Sequence, residues 1–236
     1  MEKHTILAFG AHADDVEIGM GASIAKWTAE GARVIICDLT KAELSSNGTV
    51  ATRKKEAQDA AHLLGVDERM TLDIADRGLY INEENIRKVT TVIRKYKPTA
   101  VFCPYEKDRH PDHGNCAKLV EEAFFSAGIY KYQTEEREAH RPSNLFYYMI
   151  NGFQRPSFVI DVSEHINKKI NSLKAYKSQF YTNENGVQTP LTDGYIDTVI
   201  ARERLFGKEI GKKYAEGFLT KKPVLLQLNN IIGEQP

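Results

Sequence analysis

The apolar residues in the first half of the chain fall into short continuous runs, and these runs alternate with stretches in which apolar residues recur at helical spacing. Continuous apolar runs without polar alternation are typical of parallel strands covered on both faces. The predicted strands are Thr5–Phe9, Val34–Cys37 and Ala100–Cys103, with a further short strand at 70–74. The predicted helices are 18–27, 53–64, 82–96 and 114–125. This alternation predicts an α/β fold.

The second half of the chain has a less regular pattern. A weakly patterned, charged stretch at 128–141 is expected to leave the sheet. The remaining predicted elements are strands at 144–150 and 158–161, helices at 164–180 and 195–211, and an edge strand at 223–228. Together the two halves predict a Rossmann-like, mostly parallel sheet with helices on both faces. No linker or internal repeat interrupts the pattern, so we expect a single domain over 1–236.

Composition narrows the class of partner. The chain has 32 Lys+Arg and 32 Asp+Glu, and this balance argues against binding to nucleic acid or to an anionic membrane. We find neither a signal-peptide core nor an apolar stretch long enough to span a bilayer, so we expect a cytoplasmic protein. Its 3 cysteines contain no C-x-x-C pair, which favours reduced core thiols over a disulfide or a structural zinc site. A small molecule is the expected partner.

Two polar turns follow predicted strands. The first contains His12, Asp14, Asp15 and Glu17, and the second is the segment 108–113. Ligands of open α/β sheets bind at the carboxyl ends of the strands, so we expect the two turns to meet there. The role of Glu17 stays open.

His12, Asp15 and His113 can supply the three protein ligands of a catalytic zinc site. The alternative is that His12 and Asp15 cap the following helix, because Asp is a favoured N-cap residue. Capping does not require two adjacent carboxylates with a histidine before them, so the composition of the turn favours the metal. Fe²⁺ or another divalent ion would suit these ligands as well as Zn²⁺.

The second turn has its own alternative, in which His110 and His113 are ordinary polar loop residues. Pro111 stiffens the turn between them, and Asp112 can bond an imidazole and fix its tautomer, which favours a site. Asp14 is then available as a general base, and His110 can stabilise an oxyanion or protonate a leaving amine. This chemistry is the hydrolysis of an amide.

The sequence resembles a known family at three places: A-H-A-D-D-V-E-I-G-M-G at 11–21, the pair Arg53 and Glu56, and H-P-D-H at 110–113. They resemble the LmbE-like, or PIG-L, family of zinc-dependent N-deacetylases. Within that family the chain looks most similar to the members that convert N-acetylglucosaminyl malate to glucosaminyl malate and acetate in bacillithiol biosynthesis. Ala13 and Ala22 depart from the family pattern of Pro and Gly, but neither change removes a ligand.

The resemblance implies roles for individual residues. His12, Asp15 and His113 would be the zinc ligands, Asp14 the base and His110 the transition-state partner. Arg53 and Arg109 would contact the substrate, an amino sugar. The resemblance also implies a homo-oligomer, such as a hexamer. The alternative for Arg53 is a solvated helix charge.

Other functions remain open at this point. One is a deacetylase of another N-acetylglucosamine derivative, or an amidase of a thiol conjugate. A second is a metal-binding protein without catalysis. A third is a dinucleotide-binding module, since Gly19, Gly21 and Asp38 superficially resemble that fingerprint, but these glycines come too late after the first strand.

Overall fold

A computed structural model describes residues 4–136, 138–182 and 186–225 of the chain. Strands and helices alternate as far as the fourth helix. The elements are β1 (Thr5–Gly10), α1 (Asp15–Ala29), β2 (Arg33–Asp38), α2 (Val50–Leu64), β3 (Glu68–Thr71), α3 (Glu83–Tyr96), β4 (Ala100–Pro104), α4 (Pro111–Ala127), β5 (Asn144–Tyr148), β6 (Phe158–Asp161), α5 (Ile166–Ala175), α6 (Lys177–Phe180), α7 (Tyr195–Glu209) and β7 (Ala215–Leu219).

The strands of the described residues form one 7-stranded sheet in the order β3-β2-β1-β4-β5-β7-β6. The pairs from β3 to β5 are parallel, whereas β7 is antiparallel to both β5 and β6. Chain order reverses at β1, which lies between β2 and β4. The carboxyl ends of β1 and β4 therefore open side by side into the crevice where such sheets bind ligands.

Hydrophobic residues fill a separate core on each face of the sheet. Along β1, Ile6 and Ala8 face one core, and Leu7 and Phe9 face the other. Strand side chains alternate between faces, so an entirely apolar strand needs a helical layer on both sides. The predicted α/β fold, with a mostly parallel sheet between two helical layers, is confirmed.

Several element boundaries differ from the predictions. The third strand is Glu68–Thr71 rather than 70–74, because its register is set by pairing with Ile35–Asp38 of β2. The predicted helix at 164–180 is interrupted at Tyr176, whose φ of −80° and ψ of 63° are not helical. The predicted edge strand at 223–228 lies partly outside the described residues, and its described positions carry no strand.

β7 was absent from the predicted elements. Its segment Ala215–Leu219 contains Glu216 and Gly217, and both residue types are poor strand formers that interrupt an apolar pattern. Both are buried because β7 lies between β5 and β6.

The stretch that was expected to leave the sheet does so, at the amino ends of the strands. It follows α4, and it is organised around the fully buried guanidinium of Arg94 on α3. That guanidinium donates to the carbonyl oxygens of Ala127, Ile129, Tyr132 and Glu136, at 3.2, 2.7, 2.8 and 3.1 Å. One buried cation thus holds an otherwise irregular segment in place.

No helix in the described part of the chain is long and apolar enough to cross a membrane.

Candidate active site

The first polar turn connects β1 to α1 and holds buried carboxylates. Asp14 and Asp15 are only 4% and 2% exposed. Asp14 is the N-cap residue of α1, but its side chain makes no capping bond, and its φ of 108° is unusual for a residue with a side chain. The Asp15 carboxylate accepts the backbone N–H of His12 at 2.9 Å. Helix capping therefore does not account for these two carboxylates.

The second polar turn connects β4 to α4. His110 is the N-cap residue of α4, and Pro111 follows as the first helical residue, where its missing N–H costs nothing. The Nδ1 atom of His110 accepts the backbone N–H of Asp112 at 3.2 Å. Neutral His110 therefore carries its proton on Nε2, as a donor. The pKa of His110 is lowered by burial and by the nearby His113 and His12.

The two turns meet at Asp15. One carboxylate oxygen lies 3.1 Å from Nε2 of His113, and the other lies 3.6 Å from Nδ1 of His12. The ring centroids of His12, His110 and His113 are 4.8 to 5.7 Å apart. The three residues predicted as ligands thus converge across a turn-to-turn contact, with His110 beside them.

Further carboxylates lie behind the two histidines. Nε2 of His12 lies 3.2 Å from Asp76 and 3.6 Å from Asp112, and Nδ1 of His113 lies 2.9 Å from Asp108. Asp112, predicted to orient an imidazole, thus lies at His12. It is also held by Arg77, whose backbone N–H and Nη1 donate to it at 2.9 and 2.8 Å. Such carboxylates fix the tautomer and ring orientation of metal-binding histidines.

The carboxylates around His12 and His113 shift the pKa values of both histidines. Burial lowers the pKa of His113, but Asp15 and Asp108 outweigh it and raise that pKa to about 9. The pKa of His12 is also raised, because Asp112, Asp15 and Asp76 outweigh its burial. Both shifts show that these carboxylates favour positive charge at the two imidazoles.

These residues fit a divalent cation. Donor atoms of His12, His110 and His113 lie within 4.8 Å of one another, as do those of His12, Asp76 and Asp112, whereas the predicted ligand Asp15 belongs to neither group among the described residues. A mixed nitrogen and oxygen donor set of this kind suits Zn²⁺ or Fe²⁺. A bound cation would neutralise part of the carboxylate charge gathered here.

Asp14 faces the cluster from the other side. Burial raises its pKa to about 7, although Arg53 opposes the shift. Nη2 of Arg53 donates to Asp14 at 3.2 Å and to the carbonyl oxygen of Ala13, and Nη1 donates to Ser45 at 2.9 Å. Arg53 is 4% exposed, so the alternative of a solvated helix charge is wrong. Its guanidinium steadies the turn that carries Asp14.

A cleft of about 380 Å³ opens above the cluster. His12, Asp14, Asp15, Arg53, Arg109, His110 and His113 all line it. The loop after β2 forms one wall through residues 44–47, and residues 189–191 form part of another. Asn47 joins the walls, because its side chain both donates to the carbonyl oxygen of Val187 and accepts its N–H, at 2.8 Å each.

Arg109 and Arg77 lie at the mouth of this cleft and are both exposed. Arg77 is paired with Asp112, whereas Arg109 forms no ion pair with any residue in the described ranges. Of these two arginines, Arg109 is therefore the one whose N–H donors are available to a ligand.

Two residues of the site were given no role from the sequence, Asp76 and Asp108. Each follows the carboxyl end of a strand, β3 and β4 respectively. Their position after a strand could have identified them from the sequence, but it does not indicate which histidine each carboxylate contacts.

Glu17, which had no role from the sequence, lies beneath the cluster and is fully buried. Its Oε1 atom accepts Nη1 of Arg69 and, at 2.9 Å, the hydroxyl of Tyr176. Arg69 also forms a two-bond pair with Asp38, at 2.8 and 2.9 Å. Asp38 is thus engaged by Arg69, which leaves the dinucleotide interpretation without its ribose ligand.

Comparison with known proteins agrees with this geometry. Residues 7–124 match the PIG-L family, described as GlcNAc-PI de-N-acetylase. A diacetylchitobiose deacetylase of Thermococcus kodakarensis is 30% identical over 229 residues, and the match covers 90% of this chain and 81% of that protein. The chain belongs to the PIG-L family. As a member of this deacetylase family it is a hydrolase, and the resemblance seen in its motifs is confirmed at the level of the family.

Two further relatives extend the comparison. The crystal structure of the conserved protein TT1542 from Thermus thermophilus is 35% identical, with a TM-score of 0.86 over 94% of this chain and 97% of that one. A probable N-acetyl-alpha-D-glucosaminyl L-malate deacetylase 2 of Bacillus anthracis is 24% identical over 86% of this chain and 93% of that protein. The malate deacetylase is thus more distant than the Thermococcus relative.

Proposed function

We propose that this protein is a metal-dependent deacetylase that removes the acetyl group from an N-acetylglucosamine derivative with an acidic aglycone, such as N-acetylglucosaminyl malate. The observation that supports it most is the buried carboxylate of Asp14, set beside the His12, Asp15 and His113 cluster on the wall of a cleft. Membership of a deacetylase family supports the reaction type.

His12, Asp15 and His113 would hold the metal, which we propose to be Zn²⁺, with Fe²⁺ as the alternative. When bound, the metal would supply Lewis-acid polarisation of the acetyl carbonyl and of the attacking water. Asp76 and Asp112 would orient His12, and Asp108 would orient His113.

The side chains then divide the proton transfers. Asp14 takes a proton from water while the water oxygen forms a bond to the acetyl carbon. The electrons of the carbonyl double bond move to the carbonyl oxygen, which becomes an oxyanion. His110 donates a hydrogen bond from Nε2 to that oxyanion. The proton on Asp14 passes to the amide nitrogen as the carbon–nitrogen bond breaks. The products are acetate and the free amino sugar.

The charge at the cleft mouth supports an acidic aglycone. Arg53 donates to Asp14, Ala13 and Ser45, and Arg77 is paired with Asp112, whereas Arg109 keeps its donors for a ligand. A guanidinium binds a carboxylate with two parallel hydrogen bonds, so Arg109 suits a malate group. The polar loop at 44–47 would face the sugar. The alternative substrate is a neutral disaccharide, as named for the Thermococcus relative.

Acetate release from N-acetylglucosaminyl malate, diacetylchitobiose and N-acetylglucosamine tests this proposal, with metal removed by a chelator and restored. We expect metal-dependent turnover, with kcat/KM highest for the malate conjugate. Arg109→Ala should lower kcat/KM for that substrate about 10- to 100-fold, the cost of losing a charged hydrogen-bond partner. It should leave N-acetylglucosamine unaffected.

Lys107→Ala is the matched control, because Lys107 is exposed in the same loop but does not line the cleft. Faster turnover of diacetylchitobiose than of the malate conjugate would contradict the acidic aglycone. No acetate release from any of the three would contradict the proposed reaction.

A further inference from the structure

The helix that carries Asp15 is broken shortly after it begins. Met20, between Gly19 and Gly21, has a φ of −148° and a ψ of 20°, so α1 consists of a short segment at 15–19 and a longer one after the break. A Cβ on Gly19 would lie 2.0 Å from a ring carbon of Tyr148. Only glycine lets β5 approach α1 this closely, and glycine also lowers the cost of bending a helix.

The break leaves backbone groups that a continuous helix would pair. In such a helix, the N–H of Ala22 would donate to the carbonyl oxygen of Ile18. Here the N–H groups of Ala22 and Ser23 donate to the two carboxylate oxygens of Glu216, at 3.0 and 2.6 Å. The carbonyl oxygen of Ile18 accepts Nη2 of Arg202 at 3.0 Å. The two groups that pair in a continuous helix thus each bond a charged side chain here, the N–H an anion and the carbonyl oxygen a cation.

These two charged side chains belong to one buried network. Lys169 donates to Glu203 at 2.5 Å and to Glu216 at 2.6 Å, and Arg202 donates to Glu203 at 3.0 Å. The four residues are at most 8% exposed. Two cations alternate with two anions, so the network carries no net charge, and breaking it would leave a buried charge unpaired.

Arg202 is also connected to the second turn of the site, through the residues that follow β5. Its Nη1 donates to the carbonyl oxygen of Ile150 at 3.0 Å. The next residue, Asn151, donates its backbone N–H and its side-chain N–H to Asp108, at 2.9 Å each. Asp108 in turn lies 2.9 Å from Nδ1 of His113. The Arg202 guanidinium therefore connects the segment that carries Asp15 with Asp108, the carboxylate beside His113.

We infer that Arg202 is a positioning residue that fixes the distance between the two ligand turns. The break at Met20 separates the Asp15 segment from the rest of α1, and Arg202 sets where that segment lies relative to Ile150. Glu216 holds the other side of the break. This inference rests on the proposed metal site. It assigns a function to the glycines of the first motif and to a β7 glutamate that follows Ala22 by 194 residues.

Arg202→Lys tests the inference because lysine keeps the positive charge beside Glu203 but cannot place two donors in the planar arrangement of a guanidinium. The measurement is the affinity of metal-free protein for Zn²⁺, by competition with a chelating dye, together with thermal unfolding of the metal-free protein. We expect the Zn²⁺ affinity to fall tenfold or more, the size of effect found for groups that orient metal ligands.

Arg94→Lys is the matched control. Arg94 is also a buried arginine that donates to several carbonyl oxygens, but it lies at the opposite end of the sheet. We expect it to lower the unfolding temperature while leaving the Zn²⁺ affinity within threefold of wild type. Glu216→Gln is a second test variant, expected to weaken Zn²⁺ binding in the same way, and it decides the question if Arg202→Lys does not fold.

Weaker Zn²⁺ binding in the test variants but not in Arg94→Lys supports positioning. Equal Zn²⁺ affinity in all folded variants overturns it, whatever their stability. Wild-type protein that binds no Zn²⁺ overturns it as well. The measurement involves no substrate, so a wrong substrate or reaction in the proposed function leaves this test intact.

Discussion

The two ends of the sheet both bury charged side chains, but they do so in opposite ways. At the amino ends of the strands, the guanidinium of Arg94 is surrounded by backbone carbonyl oxygens of a single segment. At the carboxyl ends, Asp14, Asp15 and the carboxylates behind His12 and His113 crowd together beside a cleft. The first arrangement surrounds a positive charge with hydrogen-bond acceptors, whereas the second concentrates negative charge.

This difference shows which buried charges mark a functional site. Burial itself is equal, since Arg94 is 1% exposed and Asp15 is 2% exposed. What differs is the set of partners, because carbonyl oxygens surround Arg94, whereas Asp14 and Asp15 lie among other carboxylates. Burial raises the pKa of Asp14 to about 7, and Asp15 and Asp108 raise that of His113 to about 9. Displaced pKa values beside a cleft are typical of catalytic and metal sites, and a fully bonded guanidinium is typical of structure.

The largest effect is expected from Asp14→Asn. Asparagine keeps the shape of the side chain but cannot take the proton from water, so kcat should fall by about 10² to 10⁴-fold. Bound metal, measured by atomic emission, should stay at the wild-type level. His113→Ala is the companion variant, and it should lose the metal itself. Full turnover in Asp14→Asn would show that Asp14 is not the general base, and it would weaken the contrast between the two ends of the sheet.

A smaller effect is expected from Asp76→Asn, which tests whether a carboxylate beside His12 contributes to metal binding. Asp76 accepts from His12 Nε2 at 3.2 Å and from the N–H of Leu44 at 3.1 Å, so it joins a candidate ligand to the cleft wall. Losing its charge should weaken Zn²⁺ affinity about 10- to 100-fold. Asp73→Asn is the control, since Asp73 is 70% exposed and pairs with Lys88. Equal Zn²⁺ affinities would mean that Asp76 does not orient His12.

The smallest effect on the site is expected from Arg94→Met. Several carbonyl oxygens lose their buried donor, so the free energy of unfolding should fall by about 2 to 5 kcal/mol, measured by urea denaturation. At a temperature where the variant is folded, its kcat should stay within twofold of wild type. A large loss of kcat in the folded variant would show that the amino end is coupled to the site and that the two ends of the sheet are not independent.

Much of the fold follows from local pattern. The apolar runs of β1, β2 and β4 were readable because a strand buried on both faces must be apolar throughout. β7 was not, because Glu216 and Gly217 are poor strand formers. Glu216 is buried where its carboxylate accepts N–H groups at the break in α1. Glu216 is explained by two N–H groups in another part of the chain, and no local pattern contains that information.

The sequence by itself determined the α/β class, the two polar turns and the residue types of the candidate site, since strand ends and ligand chemistry are local properties. Only the tertiary structure decided that Asp76 and Asp112 meet His12, that Asp108 meets His113, and that Arg202 links both turns. The physical reason is that spacing along a chain fixes distances within a turn, whereas distances between turns depend on how neighbouring strands pair and pack.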